Sequence, residues 1–344
     1  MRSVHITQSG PPAEALSMVE TETPDPGPGE VRIDVEAVAL NRLDVFARTG
    51  HPDDEDEFPK RTGCDVAGTV DAVGDGVPES RIGEEVLLYP HVTCMECEYC
   101  LNGEHTMCHD YEIIGEDRPG GLAEYLVVPE RTIDPLPETL SFVEAAAIPV
   151  TFTTAWRMIV TAGELRPGES ALILGASGGV GNAALRIADF VGATVYATTS
   201  SDRKAERVRE AADVEATIDY TAEPFDEVVM NLTDGRGVDL VADHVGEATW
   251  QRSIDSLAMG GRMVICGATS GADPDIDVRS VYQHHRRIVG APMGNRQDFR
   301  DVVSLVARGD LEPEIDRVLP LEKTAEGHAA LEDRSVVGKV VIVP

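Results

Sequence analysis

A short apolar run leads directly into a glycine-rich turn and then into a helical pattern, and this arrangement constrains the fold of the chain. The run ALIL (171–174) is followed by GASGGVG (175–181) and then by NAALRIADFVG. Strand, glycine turn and helix in this order form the context in which a dinucleotide pyrophosphate rests on a helix N-terminus. Glycines allow the tight turn, the close backbone approach and the close helix packing of such a site. The predicted dinucleotide-binding residues of this turn are Gly175, Ser177, Gly178, Gly179, Val180 and Gly181.

Short apolar runs and helical patterns alternate through residues 142–288. The runs include TVYAT (194–198), VDLVAD (238–243) and RMVIC (262–266). This alternation predicts an α/β unit with a doubly wound parallel sheet. The part of the chain before it is punctuated by TPDPGPGE and RPGG, and is predicted to be β-rich, with a strand at 31–40. After it we expect a helix at about 298–308 and a final strand at 337–343.

The end of the second predicted strand of this sheet indicates which dinucleotide binds. NAD-binding folds place an acidic residue against the ribose 2′-hydroxyl about twenty residues after the glycine turn. Here Thr199 and Ser200 stand in a run of hydroxyls, followed by Arg203 and Lys204. Hydroxyl donors and positive charge suit a 2′-phosphate, so NADP(H) is preferred over NAD(H). In the alternative interpretation, Asp202 caps the helix that starts here and the two cations are solvated surface.

Four of the six cysteines lie in one fifteen-residue stretch, CMECEYCLNGEHTMC. The spacing Cys94-x2-Cys97-x2-Cys100-x7-Cys108 lets one loop place four thiolates around a tetrahedral ion at ~2.3 Å. Four protein ligands leave no open position, so the spacing predicts a structural zinc. Disulfides are disfavoured in a reducing compartment, and the ferredoxin iron–sulfur motif places its fourth cysteine three residues on, before proline.

The net charge and the lengths of the apolar runs exclude several kinds of partner. The 344 residues include 61 acidic and 29 basic side chains, for a formal charge of −32. A field this negative repels phosphate, so no nucleic acid is expected as a partner. The longest apolar runs are strand-sized, below the ~20 residues of a membrane helix, and the N-terminus MRSVHITQSGPP lacks the pattern of a secretory signal. We expect a cytoplasmic protein with no membrane partner.

Lysine is scarce, and carboxylates are spread along the whole chain. The only lysines are Lys60, Lys204, Lys323 and Lys339, whereas acidic runs occur at 53–57, 84–85 and 273–277. These carboxylates repel one another in dilute buffer, and molar salt shortens the screening length to ~3 Å. The composition predicts a halophilic protein that needs high salt to stay folded. An ordinary acidic cytosolic protein is the alternative.

The motifs together resemble the medium-chain dehydrogenase/reductase superfamily across essentially the whole chain. Besides the glycine turn and the four-cysteine stretch, the resemblance rests on GCDVAGTVDAVG (63–74), EAAAIPVTFTTAW (144–156), VDLVADHVGEATW (238–250), GGRMVICGATSG (260–271) and VVGKVVI (336–342). It implies a GroES-like catalytic domain formed by residues 1–141 and 289–344, and a Rossmann domain at 142–288. It also implies a cleft for nicotinamide and substrate, and a homodimer or homotetramer.

The sequence departs from the zinc alcohol dehydrogenases of this superfamily at the catalytic metal. The resemblance places the metal ligands at Asn41, Cys64 and Val150, and the proton-relay hydroxyl at Leu43. Leu43 and Val150 cannot perform these roles. Cys64 with Asp65 could hold a metal, but catalytic zinc normally has three protein ligands and an open position. The chain therefore resembles the quinone-oxidoreductase-like branch, which keeps the zinc lobe without the catalytic zinc.

A site without a Lewis acid must accelerate hydride transfer by orienting the nicotinamide against an already electrophilic substrate. Quinones, enones and reactive carbonyls are the small-molecule substrates that meet this requirement. By its position in the motif, Asn41 is the expected amide donor to the substrate oxygen. Asp44 is expected to fix the loop by hydrogen bonding, and Cys64 is a candidate proton donor. Phe46 stands where related quinone reductases often have a tyrosine, so the sequence supplies no phenol there.

The resemblance further implies cofactor contacts outside the glycine turn, although each of these residues could equally belong to the scaffold. They are Thr154 near the phosphates, Tyr220 against the adenine, His244 and Val245 near the ribose, Gly267 near the nicotinamide, and Lys339 in GKV.

Three functions follow from these patterns. The favoured one is an NADPH-dependent reductase of quinones, enones or reactive carbonyls. The second is a zinc alcohol dehydrogenase whose catalytic metal is held by Cys64 and Asp65, and the third is a protein that binds NADPH without chemistry. The loop HPDDEDEFPK (51–60), expected to help shape the substrate pocket, carries no motif that names the substrate.

Overall fold

The structure, a computed structural model, describes residues 1–50 and 58–344. The acidic run at 53–57 and most of the loop at 51–60 lie outside the described residues. The chain divides into two compact units. Unit 1 consists of Met1–Val150 and Pro313–Pro344, and unit 2 consists of Thr151–Glu312.

The strands, in chain order, are β1 (Arg2–Ile6), β2 (Leu16–Glu20), β3 (Glu30–Ala39), β4 (Asp65–Val73), β5 (Glu85–Leu88), β6 (His91–Val92), β7 (Glu112–Ile113), β8 (Tyr125–Pro129), β9 (Ile133–Pro135), β10 (Ser170–Ile173), β11 (Thr194–Thr199), β12 (Ala216–Asp219), β13 (Val238–Asp243), β14 (Leu257–Ile265), β15 (Arg287–Gly290), β16 (Ile315–Pro320) and β17 (Lys339–Val343).

The α-helices are α1 (Pro12–Ala15), α2 (Arg42–Thr49), α3 (Glu98–Leu101), α4 (Phe142–Ala146), α5 (Pro149–Trp156), α6 (Gly179–Val191), α7 (Asp202–Ala211), α8 (Phe225–Leu232), α9 (Trp250–Asp255), α10 (Val278–Tyr282), α11 (Arg296–Ala307) and α12 (Thr324–Glu332). Short 3₁₀ turns occur at Glu79–Arg81, His105–Met107, Glu130–Thr132 and Leu321–Lys323, and a π-helical segment at Arg157–Thr161 follows α5. Within the described residues, no helix has the length and apolar character needed to cross a membrane.

Unit 1 is built around a seven-stranded sheet with the spatial order β16-β17-β3-β4-β5-β9, in which β8 also pairs with β3. The long strand β3 is antiparallel to β4, β8 and β17, whereas β16 runs parallel to β17. Strand residues from both ends of the chain, such as Val31, Val66 and Ile342, share one apolar core. The last strand of the described chain therefore lies inside the sheet that the first part of the chain begins.

Unit 2 contains a six-stranded parallel sheet with the order β12-β11-β10-β13-β14-β15. This is the 3-2-1-4-5-6 order of a dinucleotide-binding fold, in which ligands bind where the strand order reverses. The reversal occurs beside β10, the strand that leads into the glycine turn. The predicted α/β class with a doubly wound parallel sheet is confirmed.

The boundaries of the two units lie later in the chain than the predicted 141/142 and 288/289. Helix α4 packs on β3 and β4 of unit 1. At the second boundary, β15 pairs with β14 and so belongs to the sheet of unit 2. Helix α11 also belongs there, because the carboxylate of Asp298 accepts a hydrogen bond from Thr161 Oγ1 at 2.5 Å and lies 3.5 Å from Arg157 Nη1. The change from a β-rich pattern to alternating helices and strands locates these boundaries poorly, because the helices α4 and α11 give no sign in their composition of the unit to which they belong.

Candidate active site

The glycine turn of unit 2 is held at its start by the neighbouring strand. The N–H of Gly175 donates to Thr198 Oγ1 at 2.9 Å, and the N–H of Ala176 donates to the carbonyl of Thr198 at 3.0 Å. Gly175 has a φ of 53°, in the left-handed region that favours glycine. These contacts fix the path of the backbone from β10 into α6.

Gly181 and Gly178 of the motif differ in what surrounds them. A Cβ on Gly181 would lie 2.3 Å from the carbonyl oxygen of Gly175, so close packing of α6 on the turn requires glycine there. A Cβ on Gly178 would meet only that same oxygen, at 3.4 Å, so one side of Gly178 is open to a ligand. Gly178 is the N-cap of α6, and no side chain caps this helix. The first N–H groups of the helix are therefore suited to bind an anion, and Ser177, Gly179 and Val180 lie in the same turn.

At the end of β11 the chain has Thr199 and Ser200, neither of which is acidic. Thr199 is buried, and Ser200 Oγ accepts a hydrogen bond from the buried Lys204 Nζ at 3.3 Å. Arg203 is exposed on the first turn of α7. The helix begins at Asp202, and its N-cap is Ser201, which makes no side-chain cap hydrogen bond.

The loop after β13 is organised by Asp243, a buried residue that the sequence analysis did not single out. Its carboxylate accepts hydrogen bonds from the N–H of Val245 at 2.7 Å, the N–H of Gly246 at 3.1 Å, Thr249 Oγ1 at 2.9 Å and Ser253 Oγ at 2.7 Å. The sequence signal that could have identified Asp243 is its place as an acidic residue at the end of an apolar strand.

His244, in the same loop, lies against the glycine turn: a Cβ on Gly175 would be 3.1 Å from its Nε2. Burial lowers the pKa of His244. Gly267 follows β14, and a Cβ there would be 3.6 Å from the carbonyl oxygen of His244. The half-buried Tyr220 reaches the end of β11, where its N–H donates to the carbonyl of Thr199 at 3.2 Å. Unit 2 thus brings most of its predicted cofactor residues around one turn.

Thr154, the remaining predicted cofactor residue of unit 2, is buried on α5. Its Oγ1 lies 3.6 Å from Met293 Sδ.

In unit 1, three buried polar side chains meet at the position that the resemblance equates with the catalytic metal. Lys339 Nζ donates to Asn41 Oδ1 at 2.6 Å and to Asp65 Oδ2 at 2.9 Å. Asn41 Nδ2 donates to the same Asp65 Oδ2 at 2.8 Å. The other oxygen of Asp65 accepts the N–H of Val150 at 2.8 Å. We call Asn41, Asp65 and Lys339 the buried triad.

The buried triad bears on two expectations. Asn41 was expected to donate to the substrate oxygen, but its Nδ2 donates to Asp65 and, at 3.4 Å, to the carbonyl of Ala39. Lys339 was expected among the cofactor residues; its ammonium pairs with Asp65, and its contact with the cofactor stays a prediction. Asp65, which entered the sequence analysis only as a candidate metal ligand, is the centre of the triad.

Asp44 joins the start of α2 to the segment before β4. Its carboxylate accepts the N–H of Asn41 at 2.7 Å, which forms a capping box, and the N–H of Gly63 at 2.8 Å. Burial raises the pKa of Asp44, although these N–H bonds act in the opposite direction. Asp44 therefore positions the triad rather than facing an open space.

Cys64 is fully buried beside the triad. Burial, together with the nearby carboxylates of Asp44 and Asp65, raises the pKa of its thiol well above the usual value. Among the described residues, the one group of three or more potential metal ligands lies elsewhere, in the four-cysteine lobe.

In that lobe the four sulfur atoms of Cys94, Cys97, Cys100 and Cys108 lie within 4.8 Å of one another. Cys94 Sγ is 3.5 Å from Cys108 Sγ and 3.9 Å from Cys100 Sγ. A tetrahedron with metal–sulfur bonds of ~2.3 Å has edges of about 3.8 Å, so these distances fit a zinc ion. The pKa of Cys97 is lowered to about 6, mainly because its Sγ accepts a hydrogen bond from the N–H of Cys100 at 3.5 Å.

Comparisons with known proteins agree with this architecture. Residues 27–138 match the family "Alcohol dehydrogenase GroES-like domain", and residues 179–308 match the family "Zinc-binding dehydrogenase". The chain is 31% identical over 337 residues to an acryloyl-coenzyme A reductase of Sulfurisphaera tokodaii, covering 97% of this chain and 98% of that protein. It is 27% identical over 351 residues to a quinone oxidoreductase of Mus musculus, covering 100% and 98%.

A solved structure described as an NAD-dependent alcohol dehydrogenase superimposes with a TM-score of 0.94 at 42% identity and covers 100% of both chains. The matched families account for both units, and the relatives align over nearly their whole lengths. The chain therefore belongs to the medium-chain dehydrogenase/reductase superfamily and is an oxidoreductase of that type.

Proposed function

We propose that this chain is an NADPH-dependent reductase of quinones, enones or reactive carbonyls, with a structural zinc and no catalytic zinc. The observation that carries the proposal is the buried triad. Asp65, which follows Cys64 in the chain, already binds an ammonium, an amide and a backbone N–H. A catalytic zinc would need three protein ligands, and the positions that the resemblance assigns to them hold Asn41, Cys64 and Val150, of which Val150 has no side-chain ligand atom.

Substrates that are already electrophilic suit such a site, because no metal polarises them. The names of two relatives support this class: acryloyl-coenzyme A is a conjugated alkene, and quinones are conjugated diketones. The name of the solved alcohol dehydrogenase points to the second candidate, an alcohol dehydrogenase with a metal at Cys64 and Asp65. The engagement of Asp65 by Lys339 argues against it.

We assign the structural zinc to Cys94, Cys97, Cys100 and Cys108. Bound there, the ion would cross-link the lobe between β6 and β7, and with four protein ligands it would take no part in the reaction. The sulfur–sulfur distances support this assignment.

The preference for NADP(H) rests on the end of β11. Thr199 and Ser200 replace the acidic residue that would bind a ribose 2′-hydroxyl and repel a 2′-phosphate. Lys204, already hydrogen-bonded to Ser200, adds positive charge at this point.

Ser200→Asp should reverse this preference. A carboxylate there would repel the 2′-phosphate and accept a hydrogen bond from the 2′-hydroxyl of NADH. Like charges placed together cost several kcal/mol, so we expect kcat/KM for NADPH to fall at least about 100-fold, while kcat/KM for NADH rises. Ser80→Asp, on an exposed turn of unit 1, is the matched control. Equal losses with both cofactors would show that Ser200 does not contact the ribose.

The proposed function itself is tested by following NADPH oxidation in molar KCl with a panel of quinones, enones and aldehydes. We expect turnover with at least one of these classes, and the same rate after dialysis against a chelator that leaves the lobe zinc in place. Alcohol oxidation that is lost with chelator while the fold survives would establish the zinc alcohol dehydrogenase instead. Tight NADPH binding without any turnover would establish a binding protein.

We also propose that the chain forms a homodimer or homotetramer, as the resemblance implies. Strand β15 lies at the edge of the sheet of unit 2, and Ile288 on it is exposed. Sedimentation in molar KCl reports the number of chains.

A further inference from the structure

A cavity of about 400 Å³ lies at the amino ends of the parallel strands of unit 2. Its lining includes Arg236, which precedes β13, Leu257, which begins β14, and Arg286, which precedes β15. Because all six strands run in one direction, the glycine turn lies at the opposite, carboxyl edge of this sheet. A strand of 6 residues such as β13 spans about 20 Å. The cavity is therefore separate from the dinucleotide-binding turn.

The cavity is basic, although the protein as a whole is strongly acidic. The segment HHRR (284–287) is the longest run of basic side chains in the chain. His284 and Arg286 of this run line the cavity together with Arg236. The charge of Arg236 is compensated by Asp239, whose Oδ1 lies 2.6 Å from Nη2. By contrast, Arg286 has no carboxylate within 4.0 Å among residues 1–50 and 58–344.

The guanidinium of Arg286 has hydrogen-bond donors that the protein does not use. Its Nη2 donates to the carbonyl of Leu257 at 2.5 Å, and its Nη1 donates to the carbonyl of Ser280 at 3.3 Å. The buried Nε has no partner, so three of the five N–H groups find no acceptor in the described part of the chain. Burial lowers the pKa of Arg286, and Asp255 acts in the opposite direction. Since arginine stays protonated in proteins, the structure holds a cation here without a counterion in contact.

His284 adds a second polar group to the cavity, and the rest of the wall is largely apolar. The Nδ1 of His284 lies 3.1 Å from the carbonyl of Ser280, which can only accept, so Nδ1 carries the hydrogen and Nε2 is left for a ligand. An anion beside the ring favours its protonated, donating form. Met230, Leu257 and Met259 supply apolar surface. Apolar walls with a few polar groups, at this volume, are typical of small-molecule sites.

We propose that this cavity binds a small organic anion, with a carboxylate or phosphoryl group on Arg286 and an apolar body against Met230, Leu257 and Met259. Two oxygens of either group match the paired N–H donors of a guanidinium. A partly buried ion pair is screened by salt much less than an exposed one, so binding survives in molar KCl. The site does not depend on the proposed reductase activity, and either proposal can fail without the other.

The test is a calorimetric titration of the protein in molar KCl, saturated with NADP+ so that the dinucleotide site is filled. Benzoate and phenyl phosphate are the two anionic probes, and they distinguish a carboxylate from a phosphoryl ligand. Benzyl alcohol lacks the charge, and inorganic phosphate lacks the apolar body. Arg286→Met removes the cation, and Arg279→Met is its matched control. Arg279 is an exposed arginine of the same unit, 3.3 Å from Asp277.

A second variant keeps Arg286 and both of its hydrogen bonds, because Arg286→Met could disturb the fold. Met259→Asp places a negative charge on the exposed part of the wall, where 68% of the methionine is accessible. Ile276→Asp, at an exposed position of the same unit outside the lining, is its control. We expect one molecule of benzoate or phenyl phosphate per chain, bound about 10- to 100-fold more weakly in Arg286→Met and in Met259→Asp. Both controls should bind like the wild type.

Three results would overturn the inference. The first is no saturable binding of either anionic probe to the wild type. The second is an unchanged Kd in both Arg286→Met and Met259→Asp, which would place the probe elsewhere. The third is equal affinity for benzyl alcohol and benzoate, which would give the cation no role, or for inorganic phosphate and phenyl phosphate, which would give the apolar wall none.

Discussion

Protein purified in molar KCl and freed of loosely bound metal should contain one zinc per chain, and Cys100→Ser should contain almost none. The four sulfur atoms of the lobe already lie at distances that suit a tetrahedral ion. Structural zinc supplies about 10–16 kcal/mol of apparent binding free energy in small zinc domains. Loss of one ligand should therefore unfold the lobe locally and lower Tm. Mass spectrometry for zinc and a thermal melt measure both effects.

Two other cysteines serve as controls for this prediction. Cys266→Ser should leave the zinc content unchanged, because Cys266 lies after β14 in unit 2 and outside the lobe. Cys64→Ser distinguishes the two enzyme classes. Two zinc ions per chain, one of them lost in Cys64→Ser, would contradict a single structural zinc and make alcohol oxidation the leading activity.

Transfer from about 1 M to about 0.01 M KCl should unfold much of the protein at room temperature. This change lengthens the screening distance from ~3 Å to ~30 Å, so the repulsion among 61 acidic side chains reaches across the molecule. The structure strengthens the prediction, since Lys204 and Lys339, two of the four lysines, are buried and cannot neutralise the surface. Circular dichroism as a function of KCl concentration measures the transition.

A comparison of KCl with sucrose distinguishes two ways in which a solute can stabilise the fold: by screening charges, or by being excluded from the protein surface. Sucrose strengthens burial but screens no charge. We expect Tm to rise by ~10 °C or more with KCl, which corresponds to about 3 kcal/mol for a unit of this size, and much less with sucrose at equal osmolality. An undiminished circular dichroism signal in salt-free buffer would show that the acidic composition does not make folding depend on salt.

The nucleotide-binding half could be predicted from sequence because its signals are local. Strand, turn and helix follow one another within about twenty residues. The strands at 194–199 and 238–243 and the second half of the strand at 257–265 contain apolar runs that are visible in the sequence. The four-cysteine lobe is equally local. In both cases the residues that act together are neighbours in the chain.

The buried triad could not be predicted because its members are far apart in sequence. Lys339 is 298 residues from Asn41 and 274 from Asp65. A motif comparison can place each of them at a familiar position, but it cannot show that their hydrogen bonds are directed at one another. For the same reason the sequence suggested an amide open to substrate, whereas the structure shows an amide held inside the protein.

The position of β17 between β16 and β3 has a consequence for the synthesis of the protein. A ribosome releases residues 1–150 with one end of β3 unpaired, and the two strands that extend the sheet there, β17 and β16, emerge only after the whole of unit 2. The six strands of the parallel sheet of unit 2 all lie within residues 170–290, so this sheet can form while translation continues. Unit 1 must wait for Lys339–Val343, which complete the sheet and carry the ammonium that neutralises Asp65. A nascent chain that stops before Lys339 would therefore have a finished sheet in unit 2 and an unfinished one in unit 1.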